Sequence, residues 1–80
     1  MYPQVLINVR VAKGVDCLRH DRVQAAVSAA EQDLNGAGRV LLRPSGTELL
    51  LRVMVEGEDR KLVERSAQRI ADVVRELATS

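Results

Sequence analysis

Two aliphatic runs near the middle of this chain leave it little conformational freedom. Arg39-Val40-Leu41-Leu42 and Leu49-Leu50-Leu51-Arg52-Val53-Met54-Val55 are separated only by Arg43-Pro44-Ser45-Gly46-Thr47-Glu48. In the second run Leu51, Val53 and Val55 alternate with Leu50, Arg52, Met54 and Glu56. A period of two puts one set on each face of a strand. A short connection carrying Pro and Gly between two such runs predicts an antiparallel hairpin, with strands over 38–43 and 49–56.

The flanking segments take their roles from this hairpin. Val5, Ile7, Val9 and Val11 alternate with Leu6, Asn8 and Arg10, which predicts a strand over 5–12 with its β-branched residues on one face. Pro3 marks its beginning because it cannot donate to a ladder, and Lys13-Gly14 ends it. After a connector over 15–20, Asp21 is the expected helix N-cap, with Gln24 completing a loose capping box. Val23, Val27, Ala30 and Leu34, with Ala26 beside them, recur at helical spacing until Asn35-Gly36-Ala37-Gly38 stops the helix. A second helix is expected after Glu56-Gly57-Glu58-Asp59, capped by Asp59. Its stripe is Val63, Ala67, Ile70, Val74 and Leu77, and charged residues cover the other side as a solvated face.

The order is therefore β-α-β-β-α, an α+β class. Two helices packed on one face of a small, mainly antiparallel sheet bury every stripe at once. Crossover packing favours the first and third strands as neighbours with the second outside. With 80 residues the chain is one domain, 1–80, with a thin core. That core is aliphatic, since Tyr2 is the only aromatic residue.

Several function classes are disfavoured. A net charge of +1 gives no global field for a polyanion, and the missing aromatics remove stacking platforms, so no nucleic-acid partner is expected. No apolar run approaches spanning length, so no membrane association is expected either. The lone Cys17 has no partner for a disulfide, which suits a reducing cytoplasm, and a half-buried structural thiol is its simplest reading. His20 stands before a helix cap with no acid–base partner in view and reads as a surface residue. Asp16, Asp21, Asp33, Asp59 and Asp72 are scattered, so no metal site is expected in this chain.

The connection between the two central runs is where chemistry concentrates. Arg43-Pro44-Ser45-Gly46 fits a β-turn with Pro at the second position and Gly at the fourth. Backbone N–H groups can then converge on an anion. Ser45 and Thr47 add hydroxyl donors, and Arg43 adds a guanidinium fork matched to two phosphate oxygens. Folding the hairpin could bring Arg52 beside Arg43, and two like charges at close range favour an anion between them. The pattern is not a nucleotide P-loop, because a strand follows it rather than a helix. The plainer alternative is a surface hairpin turn with incidental polar residues.

Arg43-Pro44-Ser45-Gly46-Thr47-Glu48, followed by Leu50-Leu51-Arg52-Val53-Met54-Val55-Glu56-Gly57, closely resembles the C-terminal domain of the α-D-phosphohexomutases. Within that superfamily it is similar to the bacterial phosphoglucosamine mutases, and Tyr2-Pro3-Gln4-Val5-Leu6-Ile7-Asn8-Val9 resembles the start of the same domain. The resemblance implies a TATA-box-binding-protein-like C-terminal domain, the fourth of a four-domain cytoplasmic enzyme. That enzyme interconverts glucosamine 6-phosphate and glucosamine 1-phosphate, on the way to cell-wall precursors, using Mg²⁺ and an active-site phosphoserine. The last domain holds whichever phosphate is not reacting, a role that falls on Arg43, Ser45, Gly46, Thr47 and Arg52. Glu48 is either a substrate contact or an ion-pair partner of Arg43 or Arg52.

Two departures qualify the expectation. The family carries a proline after the loop's glutamate, and here Leu49 stands there, which is expected to loosen the loop and weaken phosphate binding. The family's phosphoserine, metal and sugar-recognition loops have no counterpart in this chain. It should therefore have the enzyme's other domains as partners in holding the phosphosugar, bind it only weakly by itself, take Mg²⁺ outside this chain, and lack activity alone. The alternatives are a domain of another phosphohexomutase (a phosphomannomutase or phosphoglucomutase) or a free-standing protein-interaction module. The latter would use Leu6, Leu50 and Met54 as its contact patch.

Overall fold

The computed structural model describes residues 2–11, 20–45 and 49–79. Strand β1 (Gln4–Arg10) is followed by helix α1 (Asp21–Leu34), strands β2 (Gly38–Pro44) and β3 (Leu50–Gly57), and helix α2 (Arg60–Thr79). The three strands form one antiparallel sheet in the order β1-β3-β2, so the first and third strands are neighbours as expected. Both outer strands run antiparallel to β3 and hence parallel to each other.

Both helices cover the same face of this sheet. Helix α2 packs on β1 and β3, and α1 packs on β2 and beside α2. Arg22 reaches Glu76 at 2.6 Å and Arg69 reaches Asp33 at 3.8 Å, so the helices run antiparallel. The core is Val9, Leu51, Val53 and Val55 from the sheet, Val23, Ala26, Ala30 and Leu34 from α1, and Val63, Ala67, Ile70, Ala71 and Val74 from α2. On α1 it is Ala26 rather than Val27 that is fully buried. Alanine there removes bulk between helix and sheet, so α1 can lie close.

Local signals explain the ends of the elements, with corrections. The N-cap of α1 is His20, not Asp21: its backbone is extended (φ −71°, ψ 135°) and its Nδ1 accepts from the Arg22 N–H at 3.2 Å. Asp21 is the first helical residue, where its charge complements the helix dipole. Asn35 ends α1 in the left-handed conformation (φ 51°), donating to the Gln32 carbonyl at 3.0 Å, and Gly36 follows at φ 79°. Asp59 caps α2, its Oδ1 accepting from the Leu62 N–H at 3.2 Å. Where β2 meets the end of β3, a Cβ on Gly38 would overlap the Glu56 carbonyl, so only glycine fits.

The hairpin turn also differs from expectation. Pro44 is a strand residue paired with Leu51, so the ladder continues through the second position of the expected turn, whose Gly46 lies outside the described residues. The Ser45 N–H donates to the Leu50 carbonyl at 2.9 Å, making Ser45–Leu50 a hydrogen-bonded pair. Pro44–Leu51 is then the intervening kind, in which the proline's missing N–H faces away from β3 on the sheet's outer edge. The strand expected to reach residue 12 ends at Arg10, and Ala12 and Cys17 lie outside the described residues.

Candidate functional site

The sheet face turned away from the helices carries the even-numbered residues of β1 and β3 and the odd-numbered residues of β2. Register arranges them in cross-strand rows. Gln4, Glu56 and Arg39 form the first, Leu6, Met54 and Leu41 the second, and Asn8, Arg52 and Arg43 the third. Arg10 and Leu50 lie next, level with Ser45 at the base of the loop.

The third row brings Arg52 directly opposite Arg43, as the hairpin reading required. By the alternation that starts at Ser45–Leu50, it is a hydrogen-bonded pair, with Cα atoms about 5.5 Å apart. Both side chains are exposed. Like charges directly opposite on one face are unfavourable. The pair is therefore a local cost to folding that an anion between the guanidinium groups would relieve. A hollow of about 250 Å³ lies against it, lined by Leu6, Leu41, Arg43, Arg52 and Met54. A second hollow, of about 530 Å³, opens beside the loop's base and is lined by Arg10, Val11, Leu49 and Leu50.

Ser45 sits where β2 runs into the loop, anchored through its N–H. Gly46, Thr47 and Glu48 lie outside the described residues, so the structure brings together Arg43, Arg52 and Ser45 of the expected set. Leu49 is 56% exposed, and its carbonyl accepts from the Val11 N–H at 2.8 Å, tying the end of β1 to the loop's base. Of the expected contact patch Leu6 is 55% exposed, while Leu50 and Met54 are half-buried; Leu41, at 42% exposure, lies beside Met54 in the same row. Among the described residues no group of three or more His, Cys, Asp or Glu side chains is placed to hold a metal ion. Nor is any described helix long and apolar enough to cross a membrane.

Sequence reasoning did not place Arg10 at this end of the sheet. Alternation put Arg10 on the open face, but its neighbours depend on how β1 registers against β3, and α1 and β2 intervene in sequence. No local signal carries that register.

Residues 6–73 match the model of the family described as phosphoglucomutase/phosphomannomutase, C-terminal domain. The chain belongs to that family. As a phosphohexomutase C-terminal domain it is 59% identical over all 80 residues to a phosphoglucosamine mutase of Methylobacillus flagellatus, spanning 18% of that protein. The chain thus spans less than a fifth of the length of this curated relative. Among solved structures it is similar to Aspergillus fumigatus N-acetylphosphoglucosamine mutase in complex with GlcNAc-6P and magnesium. The TM-score is 0.74 at 30% identity, covering 96% of this chain and 16% of that one. A serine-to-alanine variant of that enzyme in complex with glucose 1,6-bisphosphate gives a TM-score of 0.76 at 31% identity, covering 99% of this chain and 16% of that one. The architecture is that of the phosphohexomutase C-terminal domains, and the family resemblance read from the loop and its following strand holds along most of the chain.

Proposed function

We propose that this chain is the phosphate-gripping part of a phosphoglucosamine mutase, an isomerase that moves a phosphate between positions 6 and 1 of glucosamine. The facing pair Arg43 and Arg52 at the loop end of the sheet carries the reading. Two guanidinium forks can each offer parallel N–H donors to phosphate oxygens. Ser45, with Gly46 and Thr47 of the loop, adds hydroxyl and backbone donors, and Glu48 is the residue proposed to contact a sugar amine or hydroxyl.

In this role the domain binds and orients, and moves no proton or phosphoryl group itself. It holds the phosphate that is not reacting while the other one transfers at a serine elsewhere in the whole enzyme. Mg²⁺ is assigned to that other part of the enzyme, as the family resemblance implies. The apolar row Leu6–Met54–Leu41 suits burial against the remaining domains.

The chain alone should bind phosphate weakly, because the rest of the site is missing while the entropic cost of association stays. Titrating it with phosphate or glucosamine 6-phosphate should shift the backbone amide NMR signal of Ser45 and its loop neighbours. Arg43→Ala should abolish the shift. A Ser45 amide unmoved at saturating phosphate, while amides elsewhere move, would overturn the reading. Incubated with glucosamine 6-phosphate, the chain alone should form no glucosamine 1-phosphate, and any detected by phosphorus NMR would refute its inactivity.

A further inference from the structure

We infer that Arg10 is a third guanidinium of the anion site, supplied by β1 rather than by the loop or its hairpin. The inference rests on the phosphate-gripping reading and extends it to a strand distant in sequence. Arg10 is the last residue of β1, exposed on the open face, and pairs with Leu50. Leu50 is two residues from Arg52 on β3, so Arg10 and Arg52 are diagonal cross-strand neighbours. Such Cα positions lie about 7–8 Å apart, within reach of long side chains. The Val11 N–H, bonded to the Leu49 carbonyl at 2.8 Å, pins the backbone beside Arg10 to the loop's base. Arg10 lines the hollow at the loop's base, which is separate from the one lined by Arg43 and Arg52.

Charge pairing sets this end of the face apart. The sheet carries Arg10, Arg39, Arg43 and Arg52. Arg39, at the far end, reaches Glu56 at 2.6 Å. The other three have no carboxylate partner among the described residues, and they occupy adjoining positions on three different strands. Three cations gathered at one corner oppose folding through mutual repulsion, and an anion shared among them removes that cost. A doubly charged phosphate, with three acceptor oxygens, is the ligand that three forks fit. Asn8, opposite Arg52 and two residues before Arg10, is the neutral spacer between them on β1.

The test is an NMR titration of the full chain with inorganic phosphate, following the Ser45 amide in wild type, Arg10→Gln and Arg39→Gln. Arg39→Gln removes the same charge from the far end of the same face. Thermal unfolding of each variant confirms that it is folded. Arg10→Gln should weaken phosphate binding about threefold to tenfold relative to Arg39→Gln, the range expected for one partly exposed charge-assisted contact. Arg10→Lys should recover part of the loss, keeping the charge without the fork. If Arg10→Gln binds within about twofold of Arg39→Gln, less than such a contact supplies, Arg10 is a solvated surface charge and only this inference falls. If wild-type chain shows no Ser45 response, the phosphate-gripping reading fails and the inference with it.

Discussion

The two faces of the same three-stranded sheet follow different rules. The covered face presents Val9, Leu51, Val53 and Val55, each at most 3% exposed, and every one is accounted for by the helices packed on it. The open face presents Leu6 and Leu41 half exposed, with an arginine pair directly opposed beside them. Nothing in the folding of this domain favours that second arrangement. Exposed leucines gain little from burial that does not happen, and opposed arginines repel. A face that folding does not explain is one shaped by what it meets, and here a corner of cations adjoins a strip of apolar surface. The covered face reports how the domain holds together, and the open face carries the proposed phosphate grip.

The largest effect that would break this division is on stability. Ile70 is fully buried at the centre of the α2 stripe, and Ile70→Ala should cost about 2–5 kcal/mol. Against a total on the order of 4–12 kcal/mol for a chain of this length, that is a large share of the stability. Leu6→Ala, on the open face, should change urea unfolding by less than about 1 kcal/mol because over half of the side chain is already in water. Equal losses from the two variants would show that the open face is part of the core after all.

Next in size is a change that affects binding without affecting folding. Arg43→Ala should reduce phosphate affinity at least about tenfold, the scale of losing a bidentate charged contact. Its unfolding free energy should stay the same or rise by less than about 1 kcal/mol, since an opposed like charge is removed. Isothermal calorimetry with phosphate and urea unfolding measure the two quantities separately. A variant that loses stability and affinity together would mean that the pair supports the strand rather than the ligand.

Most of the covered face was legible in the sequence, because it depends on periodicity. The alternation through Leu51, Val53 and Val55 and the spacing Val63, Ala67, Ile70, Val74 each define one face without knowledge of the partner. The open face was legible only inside the hairpin, where a short connection fixes register and brings Arg52 to Arg43. Arg10 was missed because its register is set across the whole length of α1 and β2. Two local readings failed through competition between valid rules. Pro44 satisfies the second position of a turn, but a proline is equally acceptable on an edge strand where its N–H would face outward, and the hairpin register decided for the strand. Asp21 is the better capping residue by type, yet His20 holds the extended backbone and supplies its ring nitrogen, leaving Asp21 to the first turn.

Leu49 sharpens the comparison at the point where both faces end. Its carbonyl, not its N–H, makes the described bond to β1, and proline keeps a carbonyl. Leu49→Pro should therefore preserve the sheet, restrict the loop exit before β3, and tighten phosphate binding about twofold by reducing the disorder lost on binding. Unfolding free energy should rise by about 0.4–1 kcal/mol through the unfolded chain. Tighter binding with no gain in stability would place the effect in the loop alone. Loss of both would show that residue 49 needs its N–H.

The smallest effect lies just beyond the sheet, at the end farthest from Arg43 and Arg52. The Tyr2 hydroxyl donates to Glu58 Oε1 at 3.1 Å, and this bond, with the carboxylate's charge beside it, raises the phenol above its ordinary pKa of 10.0. The folded chain thus holds this proton more tightly than the unfolded one. The stabilisation is fully present below the ordinary value and is lost as pH rises through the raised one. Tyr2 is the only aromatic residue, so its ultraviolet titration is free of overlap, and it should fall above pH 10. Glu58→Gln removes the charge and should return the midpoint toward the ordinary value. Stability near neutral pH should barely respond, since the pair is open to water. A clear loss there would mean that this end of the sheet helps to fold the domain, and that the division between the two faces applies only at the arginine corner.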